Sequence, residues 1–67
     1  KEENDVFNIV MGLQQNYKTV IYLFYYEGYK VKEISEIMKV SENTIKTWLS
    51  RAREELKEKL EGGFEDE

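Results

Sequence analysis

The sequence predicts an all-α domain of four helices followed by an acidic tail. Three observations carry this. Proline is absent, and the helix formers Glu, Lys and Leu are common. β-branched residues are scattered instead of alternating with polar ones, as half-buried strands require. Apolar residues return at spacings of three and four, the repeat of a helix with one buried side. A chain of 67 residues holds one domain at most and must rely on good helix packing, on a partner, or on both.

A short first helix is expected over residues 5–11, capped by Asn4 or Asp5, with Val6, Phe7, Ile9 and Val10 as its apolar side and Gly12 as its stop. The second runs over 15–27. Its stripe is Tyr17, Val20, Ile21, Leu23 and Phe24, and Gly28 supplies the left-handed residue that commonly ends a helix. Five aromatics crowd its end: Tyr22, Phe24, Tyr25, Tyr26 and Tyr29. One stripe cannot hide them all, so Tyr22 and Tyr26 are expected to pack on the first helix or to form a docking patch. The third helix covers 32–39, with Ile34, Ile37 and Met38 on one side, and Val40 packs as the chain turns. Ser41 then caps a long fourth helix reaching about residue 60, with Thr44 at its third position.

At about 100° per residue, Ile45, Leu49, Ala52, Leu56 and Leu60 share one narrow face of the fourth helix, its core stripe. Asn43, Thr47, Ser50 and Glu54 lie opposite. Lys46 flanks this outer face on one side, and Thr44 and Arg51 on the other. The second half shows Glu54, Lys57, Glu58 and Glu61, an ordinary solvated face with some pairing at four-residue spacing. A helix whose outward chemistry changes halfway is used at one end.

The charge agrees. The net charge is −4, but residues 16–53 carry seven Lys and Arg against four Glu, a net of +3. Residues 1–15 sum to −2 and residues 54–67 to −5, so a mildly basic centre lies between acidic ends. There is no cysteine and no histidine, which removes disulfides, thiolate metal sites and imidazole catalysis. No enzyme activity and no cofactor are expected. The longest apolar run, residues 20–26, is far short of the ~20 residues of a membrane span, and the N-terminus shows no secretory signal. A cytoplasmic protein without membrane contact is expected. The start at Lys1 suggests a fragment or a processed product.

Two helices on either side of a tight turn, residues 31–38 and 42 onward, form the helix-turn-helix pattern. The N-terminal half of the second such helix fits the major groove, and the first braces it near the backbone. Asn, Thr and Ser can hydrogen-bond base edges, while Lys and Arg reach guanine acceptors or phosphates. Lys18, Lys30, Lys32 and Lys39 stand where phosphate contacts would be useful. Helix pairs of this kind also occur in proteins that never touch DNA, and the same polar face would serve as plain solvated surface.

The segments Tyr17-Lys18-Thr19-Val20-Ile21-Tyr22-Leu23, Tyr25-Tyr26-Glu27-Gly28, Lys32-Glu33-Ile34-Ser35-Glu36-Ile37-Met38, Val40-Ser41-Glu42-Asn43-Thr44-Ile45-Lys46-Thr47 and Leu49-Ser50-Arg51-Ala52-Arg53-Glu54-Glu55-Leu56 resemble region four of bacterial sigma factors, most closely the extracytoplasmic-function group. The resemblance covers residues 13–60. It implies a four-helix domain of the winged-helix-like repressor and sigma region four class. Residues 1–12 would then be a linker and short helix, 13–60 the DNA-binding domain and 61–67 an acidic disordered tail. It further implies that the domain reads the promoter −35 element in double-stranded DNA as the C-terminal part of a sigma factor. The protein partners it implies are the flap of the RNA polymerase β subunit and an anti-sigma factor. By position, the family's base and phosphate contacts fall on Asn43, Thr44, Lys46, Thr47, Ser50 and Arg51, with Ser41 at the turn close to the backbone; Lys32 joins the expected DNA-binding residues as a flanking phosphate contact. The domain that reads the −10 element is absent, so this chain alone would not direct initiation.

The sequence departs from the family pattern at several positions. Phe24 replaces a frequent phosphate-binding arginine, either losing an anchor or joining the core. Trp48 replaces a frequent basic residue and is expected at the core edge. Ser35 replaces a frequent alanine. Lys39 and Asn43 replace frequent glycines, so Lys39 must adopt a left-handed conformation or alter the turn. Two other readings stay open. One is a helix-turn-helix of the response-regulator output type, against which Arg51-Ala52-Arg53 argues. The other is a protein-interaction module without DNA binding, to which the acidic ends lend weight.

Overall fold

The computed structural model describes the backbone of residues 2–65 and the side chains of residues 6–61. Among the described residues every regular element is helical: α1 (Glu2–Met11), α2 (Gln15–Ile21) running into a π-helical turn (Tyr22–Tyr26), α3 (Val31–Met38) and α4 (Glu42–Glu65). The four expected helices are present in the expected order. α4 is the spine; α1, α2 and α3 all pack against it, and α3 also touches the π turn.

The core is small and wholly apolar. It consists of Val10, Leu13, Val20, Ile21, Ile34, Ile45, Leu49 and Ala52, none more than 5% exposed. Each helix contributes at its helical spacing, with Leu13 added from the turn after α1. That turn closes through the Gly12 N–H, which lies 3.0 Å from the Ile9 carbonyl, and the Leu13 N–H, 3.1 Å from the Val10 carbonyl. Tyr17, Leu23, Phe24, Val31, Met38, Val40 and Trp48 pack half-buried around this centre. Phe24 therefore joins the core, and Trp48 is an aromatic at the core edge, as expected.

Several expectations need correction. α1 begins at Glu2, upstream of Asn4 and Asp5, so neither caps it; their side chains lie outside the described residues. The second helix is not a single α-helix. Its ladder widens, the Glu27 N–H donating to the Tyr22 carbonyl at 3.0 Å, five residues back. The inserted residue shifts the phase of the last turn. Leu23 and Phe24 then lean on the core, while Tyr25 and Tyr26 face outward. Tyr26 meets Phe7 of α1 edge-on at 6.0 Å between ring centres and stacks with Tyr22 at 5.6 Å. The expected packing on α1 is thus made by Tyr26, with Tyr22 behind it. Gly28 takes the left-handed conformation (φ 81°), and the Tyr29 N–H closes the end on the Leu23 carbonyl at 2.9 Å.

On α3, Ile34 is fully buried but Ile37 is 50% exposed. Ile37 lies three residues beyond Ile34, about 300° around the helix, and the face covered by α4 and the π turn is too narrow to reach it. On α4, only the upper stripe of Ile45, Leu49 and Ala52 is buried, while Leu56 and Leu60 are half-buried. A 24-residue helix is about 36 Å long and overruns the short helices beside it. α4 also continues to Glu65, five residues past its expected end. Gly62 and Gly63 weaken a helix without blocking it as proline would. The last two residues, 66 and 67, lie outside the described part, and so does that portion of the expected tail.

Candidate nucleic-acid interface

The corner between α3 and α4 is held by its own hydrogen bonds. The Lys39 and Val40 N–H groups donate to the Ser35 carbonyl at 2.8 and 3.2 Å, and the Ser35 hydroxyl donates to the Val40 carbonyl. Ser35, in place of the frequent alanine, thus gains a structural role at the helix contact. Lys39 ends α3 in the left-handed conformation (φ 62°, ψ 43°), as one of the two expected outcomes required. That conformation crowds a Cβ and costs about 1–2 kcal/mol relative to glycine. At the other end of α3, the Glu33 carboxylate accepts the Lys30 N–H at 2.8 Å, which fixes the helix start.

α4 starts from a true cap. The Ser41 hydroxyl oxygen accepts the Thr44 N–H at 3.1 Å, and the two hydroxyls lie 2.9 Å apart. Thr44 is half-buried, with its hydroxyl engaged by Ser41. Asn43, Lys46, Thr47, Ser50 and Arg51 are exposed. Since Ile45, Leu49 and Ala52 are buried, the helical phase turns Asn43, Thr47 and Ser50 away from the core, with Lys46 and Arg51 on either side. These residues form one outward row on the first half of α4. Ser41 sits at its head. Lys32 is exposed but stands apart, on the first turn of α3.

The electrostatics divide α4 in two. Among the described residues, the Lys59–Glu55 pair at 3.9 Å lies in the acidic second half, and neither Lys46 nor Arg51 is ion-paired. Their charge stays available to a partner. Arg53, second arginine of the Arg51-Ala52-Arg53 run, points elsewhere: its guanidinium donates to the Tyr25 hydroxyl at 3.2 Å and ties α4 to the π turn.

Sequence reasoning missed a second feature. An open apolar groove of about 480 Å³ runs between α1, the π turn and the lower half of α4. Val6, Val10, Ile21, Tyr25, Tyr26, Leu56 and Leu60 line it, with Arg53, Lys57 and Glu61 on its rim. The signal was in the mismatch between one very long helix and three short ones, which leaves the end of the apolar stripe uncovered. Beside the groove, hydrogen bonding to the Glu27 carboxylate and that group's negative charge raise the pKa of the Tyr22 phenol above its ordinary value. No described helix is long and apolar enough to cross a membrane.

A hydrogen-bonded corner, a capped second helix and an outward polar row on that helix's first half define a helix-turn-helix module. The family model described as sigma-70, region 4 matches residues 4–56, and the chain belongs to that family. Comparison with curated proteins and with solved structures gives no match. In sigma factors this region binds the promoter −35 element and interacts with RNA polymerase; the family is DNA-binding and not catalytic.

Proposed function

We propose that this chain reads a promoter −35 element as the C-terminal domain of an extracytoplasmic-function sigma factor, residues 13–60 forming the DNA-binding unit. The observation that carries this is the exposed row on the first half of α4, set against a buried stripe and free of ion pairs among the described residues. Asn43, Thr47 and Ser50 offer donors and acceptors to base edges in the major groove, and Lys46 reaches a guanine or the adjacent backbone. Arg51, further along α4, holds a phosphate, and Lys32 holds another from the bracing helix. Ser41 and Thr44 act chiefly through the cap. It places the start of α4 and leaves the Thr44 methyl, more than its hydroxyl, for contact.

The polymerase flap is assigned to the apolar groove. The groove uses α4 from Arg53 to Glu61, whereas the DNA-facing row uses residues 43–51, so both partners can be engaged at once. An anti-sigma factor covering the same apolar surface would compete with the flap.

Selection of bound duplexes from a random library tests the reading. A recurring short motif is expected, bound with an affinity that falls with a log–log salt slope of about −4 if four or five phosphates are neutralised. Recovery of no motif, together with affinity that is flat in salt, would leave an interaction module seated on the groove as the better reading.

A further inference from the structure

Lys39 is the one described residue other than glycine with a positive φ, 62°. Glycine would take this conformation without crowding a Cβ. The turn does not need the lysine side chain, since it closes through backbone groups and Ser35: the Lys39 and Val40 N–H groups both reach the Ser35 carbonyl, and the Ser35 hydroxyl reaches the Val40 carbonyl. The side chain is exposed and forms no ion pair among the described residues. A strained backbone therefore carries a cation that does nothing visible for the fold. Its position is well defined. It stands two residues before the Ser41 cap, at the end of α4 that leads the outward row. Arg51 lies at the other end of that row, ten residues past the Ser41 cap, about 15 Å along the axis at 1.5 Å per residue.

We propose that Lys39 is a phosphate-binding residue. The turn places Lys39 just ahead of α4, within reach of the backbone there, so that Lys39 and Arg51 grip the DNA backbone at both ends of the base-reading stretch. The proposal rests on the DNA-binding reading above and deepens it. The Glu36 and Glu42 carboxylates, three residues to either side in sequence, make an uncharged turn locally acidic.

The test uses the whole chain and a 20-base-pair duplex of arbitrary sequence, because phosphate contacts are independent of sequence. Lys39→Gly removes strain and charge together. Lys39→Asn removes the charge but keeps a side chain that tolerates the left-handed region. Lys39→Arg keeps the charge. Thermal unfolding is expected to shift upward for Lys39→Gly. Both neutral variants are expected to bind about 3- to 10-fold more weakly at low salt, with a log–log slope shallower by about 0.9, the share of one phosphate. Lys39→Arg should match the parent in affinity and slope. Neutral variants that keep the parent's slope would overturn the proposal, and so would a lowered midpoint for Lys39→Gly, which would make the lysine part of the fold. A parent chain that binds no duplex at any salt would instead remove the DNA-binding reading itself, and this proposal with it.

Discussion

Ile34 and Ile37 lie three residues apart on α3, and the structure separates them. Ile34 is 0% exposed between α3 and α4, whereas Ile37 is 50% exposed. Replacement of either by alanine removes three carbon atoms. At about 0.8 kcal/mol per buried methylene, Ile34→Ala loses about 2.4 kcal/mol of transfer energy. A partly relaxed cavity adds to this, for a total of about 3–4 kcal/mol. Ile37→Ala loses about half the transfer term and leaves no closed cavity. It also gains a few tenths of a kcal/mol in helix propensity, so its net cost is below about 1 kcal/mol. A domain of 67 residues has about 3–10 kcal/mol in all, so the first change removes a large share and the second does not. Each kcal/mol moves the midpoint of a domain this size by about 4–8 °C. Thermal unfolding followed by circular dichroism should therefore place Ile34→Ala at least 12 °C or so below the parent, and Ile37→Ala within about 8 °C of it. Equal shifts for the two variants would mean that α3 is rotated about its axis relative to α4, and the orientation of the helix-turn-helix corner would fall with it.

Leu49→Ala, between Ile45 and Ala52 in the buried stripe, should lose about 2–5 kcal/mol in the same assay. Ser41→Ala removes the cap acceptor of α4 and should lower stability by about 1 kcal/mol; an unchanged midpoint would show that the cap bond is not populated. In competition titrations, Lys46→Ala or Thr47→Ala should lose about 1–3 kcal/mol of preference for the selected duplex over a scrambled one. Arg51→Ala should weaken both duplexes alike and make the salt slope shallower by about one unit. The same loss on both duplexes for all three variants would show that this face does not read bases. Leu56→Glu, at the groove, should abolish binding to the isolated polymerase flap while leaving duplex affinity within about twofold, as expected of a charge placed among apolar side chains remote from the outward row on the first half of α4.

The sequence alone determined much of what depends on local periodicity and local hydrogen bonding, though not the start of α1 or the end of α4. Helix order follows from the spacing of apolar residues. The Gly28 and Ser41 ends follow from the few residue types that serve those positions, and the outward row of Asn43, Thr47 and Ser50 follows from phase against Ile45, Leu49 and Ala52. At Lys39 the sequence left two outcomes open, a left-handed residue or an altered turn, and the structure takes the first. What depends on which element covers which was left to the tertiary structure. Periodicity marks Ile37, Leu56 and Leu60 as apolar and in phase, but it does not say how far a neighbouring helix extends. The short α3 and the overrunning α4 leave these residues partly bare. The π turn at Tyr22–Tyr26 is likewise a tertiary outcome, since one inserted residue lets Leu23 and Phe24 reach the core while Tyr26 meets Phe7 on α1. The groove exists only because the overrunning α4 and the π turn face each other across α1. Burial is a property of pairs of surfaces, and a single chain of residue types specifies only one surface of each pair at a time.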